Sequence, residues 1–198
     1  MARDTRARLL DAALVLIDER GVVAVSADDI RVAAGASVGS LYHHFPAGKP
    51  ALVSAVLDKW LGHYQAEALD VLRSADGHEA GVRGVVGHFL RWTEAHPAAA
   101  RVLLRFEVDP PAERPGSPVS GPEFFREVTH WLTGSSSPDA AATPIAVLVA
   151  LWMGPTKEYA RGWLSGRAAD PPHAVAPPLA DAAWRCVRHL RPAEGGQE

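Results

Sequence analysis

Residues 26–45 read SADDIRVAAGASVGSLYHHF, and the fold is decided by this stretch. Ser26 stands three positions before Asp29, so a hydroxyl and a carboxylate can each satisfy backbone N–H groups that a helix start leaves open. A helix is predicted from this cap to Ala34, stopping at Gly35. Ser37 is the predicted cap of a further helix over Val38 to Phe45, after which Pro46-Ala47-Gly48 breaks the chain. The turn between the two helices contains glycine because it needs a backbone angle that side chains resist. Ile30, Ala34 and Leu41 are expected to form the small core between them. The result has the outline of a helix-turn-helix, an outline that many helical hairpins share.

Working outward, the pattern stays helical. Leu9, Leu10, Ala13, Leu14 and Ile17 recur at three- and four-residue spacing and so share one helix face, with Gly21 as the stop after a basic last turn. Downstream, apolar periodicity predicts helices over 50–73, 78–95, 98–108, 123–132, 140–164 and 179–190. His96-Pro97 marks a joint, because the residue before proline avoids helical angles, and Pro155 is expected to kink its helix. Three stretches read as connections: Asp109 to Pro122 with its five prolines, the serine-rich Thr133 to Asp139, and Gly166 to Pro178. Few segments alternate as strands do and no internal repeat is present, so the fold class is all-α.

Composition narrows the function classes. The 198 residues are 47% hydrophobic and 22% charged, too apolar for a mainly disordered chain. The longest wholly apolar run, Ile145 to Met153, has nine residues, whereas a membrane span needs about 20. No membrane partner is expected. The charged N-terminus lacks the apolar core of a secretory leader, and the single cysteine, Cys186, can form no internal disulfide. Both point to the cytoplasm. Net charge is 20 − 23 = −3, and residues 1–50 hold six basic and six acidic side chains. Bulk electrostatics therefore advertise no nucleic-acid partner, and such a role must rest on geometry.

Signatures of catalysis are not read. Gly81 to Gly87 has glycine spacing without the lysine or preceding strand of a phosphate loop, and no nucleophile elbow is identified. Asp28 and Asp29 sit at a helix start, where the dipole favours them. The nine histidines do not pair at metal-ligand spacing, with His43 and His44 placed on different helix faces. No enzyme activity, metal or cofactor is expected.

With Ser26, Ile30, the run Ala34-Gly35-Ala36-Ser37-Val38-Gly39-Ser40-Leu41-Tyr42-His43-His44-Phe45, then Lys49 and Leu52, residues 8–57 resemble the DNA-binding segment of the tetracycline-repressor (TetR) family. The resemblance implies a three-helix DNA-binding domain, residues 1–48, and a larger helical domain, residues 49–198, that binds a small ligand and dimerises. It implies double-stranded operator DNA as a partner. Ser26 would cap a helix whose N–H groups face a phosphate. Ser37, Val38, Gly39 and Ser40 would open the recognition helix, where glycine lets the backbone approach the bases. Tyr42 would bond a phosphate through its hydroxyl, His43 would reach a base edge or the backbone, and His44 and Lys49 would complete the clamp. The blander alternatives are that Tyr42 packs on the first helix and that His44 is only the polar neighbour of a core Phe45. The chain departs from the family at Arg31, where alanine is usual; this arginine is either a phosphate contact or part of a solvated face. Pro50 replaces a glutamate, and the joint from Phe45 to Pro50 is one residue longer than the commonest form.

The larger domain is rich in aromatic residues. Most fill the core, yet Trp60, Tyr64, Phe89, Trp92, Trp131 and Trp152 are expected to line a cavity for an apolar or aromatic small-molecule effector. His63, His88 or Glu158 is available to orient a polar ligand atom. Ala160, Trp163, Leu179, Ala183, Val187 and Leu190 are expected at a homodimer interface, since an exposed apolar stripe is a liability on a monomer. A four-helix bundle with two helices from each chain is what the resemblance implies there. The function expected is a ligand-responsive transcriptional repressor, released from a pseudo-palindromic operator by its effector. The alternative is a helical small-molecule-binding or structural protein whose helix-turn-helix no longer engages DNA, as the neutral charge of residues 1–50 and Arg31 would suit.

Overall fold

A computed structural model describes residues 2–108, 122–133 and 144–190. Nine α-helices occur among them: α1 (Ala2–Ala24), α2 (Ala27–Ala33), α3 (Val38–His44), α4 (Lys49–Ser74), α5 (Gly77–Ala95), α6 (Pro97–Val108), α7 (Pro122–Thr133), α8 (Ile145–Leu164) and α9 (Ala176–Val187). The described residues contain no strand. The expected loops 109–122 and 133–139 lie outside the described residues, apart from Pro122 and Thr133, which are the two ends of α7.

Proline accounts for the differences at the boundaries. Lys49 and Pro50 open α4, and Pro97 opens α6. The stretch 166–178, expected to be a linker, instead holds a 3₁₀ turn over Pro172–Val175 and the start of α9 at Ala176. Pro177 and Pro178 fall in the first turn of α9, where a missing N–H removes no helical bond. Reading Pro177 and Pro178 as the end of a linker places that start three residues late. Within α8 the helix continues through the exposed Pro155 to Leu164.

The helices gather into two compact units. The first contains α1, α2, α3, α4 up to Gly62, and α6. Its core takes Leu9, Leu10, Ala13, Leu14 and Ile17 from α1, as the periodicity predicts, with Ile30, Leu41, Phe45, Leu52, Val56 and Leu57. Gly21 ends the regular part of α1 with φ 78°. Helix α6 packs on α1. There Arg101 grips Asp18 through two bonds of 2.8 Å, and the Arg105 guanidinium donates to the Ile17 carbonyl at 3.3 Å.

The second unit contains α4 from His63 onward with α5, α7, α8 and α9. Helix α5 is its centre: Val82, Val85, Val86, Phe89, Leu90 and Trp92 are all buried, and each such side chain contributes roughly 1.5–3 kcal/mol. Helices α8 and α9 pack against α5 and against each other. Two glycines of α5 make room for neighbours. A Cβ at Gly81 would stand 2.2 Å from the Trp131 ring, and one at Gly84 would stand 2.8 Å from Val71. The Trp152 indole N–H donates to the Val82 carbonyl at 3.1 Å, tying α8 to α5.

Candidate nucleic-acid interface

The short helices of the first unit are made locally. Ser26 Oγ accepts from the Asp29 N–H at 3.1 Å, while Asp29 Oδ2 accepts from the Ser26 backbone N–H at 2.8 Å and from its hydroxyl at 2.6 Å. These bonds, the hydroxyl first, hold the Asp29 carboxyl below the usual carboxylate range. Ser37 Oγ accepts from the Ser40 N–H at 3.1 Å and opens α3. Between the helices Gly35 adopts φ +60°, a left-handed angle that costs an L side chain. Ile30, Ala34 and Leu41 are buried as the small core.

Two arginines brace the turn. Arg8 Nη1, from α1, donates to the Ala34 carbonyl at 3.0 Å, and Arg31 Nη1 donates to the Ala36 carbonyl at 3.0 Å. Arg31 Nε also donates to Asp28 Oδ1 at 2.6 Å. The Arg31 chain thus lies along its own turn, and a phosphate would have to share a guanidinium already engaged. The brace from Arg8 leaves no sign in the sequence, because nothing local links residues 26 positions apart.

What α3 leaves outward is mostly apolar and hydroxylic, with one imidazole. Val38 is 56% and Tyr42 51% exposed, one helical turn apart and therefore on one face. Gly39 and His43 are exposed beside them, with Ser40 half-buried. A Cβ at Gly39 would meet nothing within 4 Å, so the fold itself does not require glycine there. His43 and His44, expected on different faces, meet edge to face with ring centroids 5.1 Å apart. Phe45 is buried and carries the Arg6 guanidinium 5.5 Å from its ring centroid. Lys49 Nζ donates to the Val23 carbonyl at 3.4 Å.

The stretch Gly35-Ala36-Ser37-Val38-Gly39 does have Gly-x-Ser-x-Gly spacing, which corrects the expectation that no such elbow can be found. The chemistry of that motif needs a strand leading into the serine. Here a helix precedes it, and the Ser37 hydroxyl caps α3. Among the described residues no group of three or more His, Cys, Asp or Glu could hold a metal ion, and no helix is long and apolar enough to cross a membrane.

Neutral charge in residues 1–50 is partly a matter of where the window ends. Asp18 is paired with Arg101, and Asp11 with Lys59 Nζ at 2.8 Å, both cations from beyond residue 50 in the same unit.

The six aromatic residues expected around one cavity are placed as follows. In the second unit Tyr64 meets Phe89 and Trp92 edge to face at 5.6 and 5.5 Å. Trp131 lies over Gly81 and beside His78, and borders an open groove of about 320 Å³ with Leu69, Leu72, Arg73, Glu127 and His130. Trp152 is buried on the Val82 carbonyl. Trp60, in the first unit, faces His96 at 5.2 Å. Of the residues expected at a dimer interface, Ala160, Ala183 and Val187 are already buried within one chain, and Trp163 and Leu179 are half-buried. The Leu190 side chain lies outside the described residues. Outward on α8 stand Val147 and Leu151, 47% and 38% exposed, with Pro155 one turn further.

Residues 9–56 match the family described as bacterial regulatory proteins, tetR family. Over 81 residues the chain is 36% identical to the HTH-type transcriptional repressor KstR2 of Rhodococcus jostii (strain RHA1), a match covering 41% of this chain and 39% of that repressor. The match thus spans about two fifths of the relative's length. Among solved structures, a TetR family transcription regulator from Marinobacter aquaeolei VT8 is similar with TM-score 0.75 and 18% identity, over 93% of this chain and 96% of that one. The transcriptional regulator FadR from Bacillus subtilis, in complex with stearoyl-CoA, is similar with TM-score 0.70 and 14% identity, over 89% and 96%. At these identities the structural likeness is one of fold.

Proposed function

We propose that this chain is a TetR-family regulator, a reading that the match of residues 9–56 supports, and that it is a cytoplasmic, homodimeric repressor that leaves its operator when a small effector binds. In this reading residues 1–48 are the reading head and residues 49–198 bind the effector and dimerise. The observation that carries it is the outward face of α3. Val38 and Tyr42 stand exposed on a helix whose cap, turn and core are all satisfied from behind. Val38 suits a thymine methyl in the major groove, and the Tyr42 hydroxyl suits a phosphate. Open space at Gly39 lets the backbone come close to a base edge. Ser26 and Ser37 shape the head by capping, and His43, His44 and Lys49 add contacts at its rim.

A two-fold partner is assigned to the outward side of α8 and α9. Val147, Leu151 and Pro155 offer an apolar strip there, with Trp163 and Leu179 partly open. Covering that strip in a dimer would set two reading heads at a fixed spacing, which a symmetric site requires. The effector acts by preferring a dimer whose heads are misplaced, shifting the population away from DNA.

The competing reading is a helical binding protein whose helix-turn-helix no longer engages DNA, and the engaged Arg31 guanidinium favours it. Selection of random duplex DNA by the purified chain at two salt concentrations separates the two. Enrichment of a two-fold symmetric site is expected. No enrichment at low salt, from folded and dimeric protein, would favour the binding protein.

A further inference from the structure

Between the end of α2 at Ala33 and the cap of α3 at Ser37 lie only Ala34, Gly35 and Ala36, so the direction of α3 depends on how this turn is held. Its N–H groups close back on α2: Gly35 donates to the Val32 carbonyl and Ala36 to the Arg31 carbonyl, both at 3.0 Å. These bonds use the donors of the turn and leave the Ala34 and Ala36 carbonyls to find partners elsewhere. Both residues are buried, 7% exposed, so water is a poor substitute for a protein donor.

Each carbonyl is met by a guanidinium. Arg8 reaches Ala34 from α1, and Arg31 reaches Ala36 from α2, both at 3.0 Å. Arg31 and Ala36 are therefore bonded twice, once through the Ala36 N–H and once through the guanidinium. Cations at the C-terminal end of α2 are also favoured by its dipole. Each arginine is held at a second point, Arg8 Nη2 on Thr5 Oγ1 at 3.2 Å and Arg31 Nε on Asp28 Oδ1 at 2.6 Å. The Arg31 side chain is 23% exposed against 71% for Asp28, so the guanidinium is the covered member of that pair. A lysine could replace neither residue, because one ammonium cannot span acceptors that a planar fork reaches through separate nitrogens.

We propose that Arg8 and Arg31 are positioning residues of the reading head: they clamp the turn on both sides of Gly35 and so set the direction in which α3 presents Val38 and Tyr42, the Arg31 charge being matched by Asp28 and not by a phosphate. This deepens the regulator reading, on which it rests. An engaged Arg31 is then part of how the head is built and no sign that it has ceased to bind DNA.

Amide hydrogen exchange on the full chain tests the clamp without DNA. The first turn of α3 closes through the Ser40 and Leu41 N–H groups, which donate to Ser37 at 3.1 and 3.0 Å. In a chain carrying both Arg8→Lys and Arg31→Lys, which keeps the net charge, these two amides are expected to exchange roughly tenfold faster, with Leu57 in α4 unchanged. Parent-like exchange at Ser40 and Leu41 would overturn the proposal. So would an equal rise at Leu57, which signals general loosening of the unit.

Titration of the duplex that the parent chain selects, at several salt concentrations, tests the consequence for binding. The same lysine chain is expected to bind roughly tenfold more weakly. Affinity like the parent's would overturn the proposal, since charge alone would then suffice. Removing the pair without changing net charge, by Asp28→Asn with Arg31→Ala, is expected to weaken binding similarly while leaving the salt slope unaltered. A slope smaller by about one unit would make Arg31 a phosphate contact and overturn its assignment, as would unchanged affinity. A parent chain that selects no duplex refutes the regulator reading alone, and amide exchange then still decides the clamp.

Discussion

Glycine does two different jobs in the two units. At Gly35 it supplies an angle: φ is +60°, and a Cβ would make only an ordinary contact, 3.6 Å from Arg8 Nη1. At Gly81 it supplies space: a Cβ would lie 2.2 and 2.3 Å from two atoms of the Trp131 ring. The first requirement is local and the second is set by a residue 50 positions away. That difference runs through the whole molecule. The helix-turn-helix of residues 26–45 is specified mostly by neighbours in sequence, and the body of the second unit by partners that only folding brings together.

The largest effect expected is in the body. Trp152→Ala removes a buried indole that packs in α8 and bonds the Val82 carbonyl, and should cost about 3–5 kcal/mol in urea unfolding. If the loss were under about 1 kcal/mol, a tightly packed second unit would be the wrong description.

The glycines themselves come next. Gly81→Ala is expected to destabilise by about 1–3 kcal/mol through overpacking, and adding Trp131→Ala should recover part of that loss, a coupling that a double-mutant cycle measures. Gly35→Ala is expected to cost about 1–2 kcal/mol, because the backbone angle is the obstacle. Truncating Arg8 should not recover it. Rescue at Gly35, or no rescue at Gly81, would break the distinction between angle and space.

A smaller effect distinguishes the units by pH. Burial lowers the folded His88 pKa, so the unfolded chain takes up a proton on this ring first. Stability should therefore decline as pH falls below about 6.5, the ordinary imidazole value, and level off once the folded ring is protonated. His88→Gln is expected to remove this part of the slope in urea titrations at several pH values. A steeper slope in the variant would contradict the sign.

The contrast also explains what could be read in the chain beforehand. The cap pairs Ser26–Asp29 and Ser37–Ser40, the turn at Gly35 and the core of Ile30, Ala34 and Leu41 all fall within 20 residues, where spacing and residue type suffice. The Arg8 brace, the packing of α6 on α1 and the Arg101–Asp18 pair depend on chain reversal and leave no local trace. In the body, apolar periodicity marks which helix faces are buried but not which neighbour buries them. Val187 and Ala183 form the same stripe whether α5 or a second chain covers it, and here it is buried within the one chain. Aromatic content likewise foretold rings in the core without separating the Tyr64–Phe89–Trp92 cluster from Trp131 and Trp152.

The central claim is that the outward face of α3 reads base sequence. Random-duplex selection run side by side on the parent chain and Val38→Ala tests it most directly, since this exposed side chain contributes little to folding. The account predicts a two-fold symmetric site for the parent and, for the variant, the same symmetry and spacing with altered preference at one base pair in each half-site. Identical preferences from both proteins, or no enriched site from either, would contradict it.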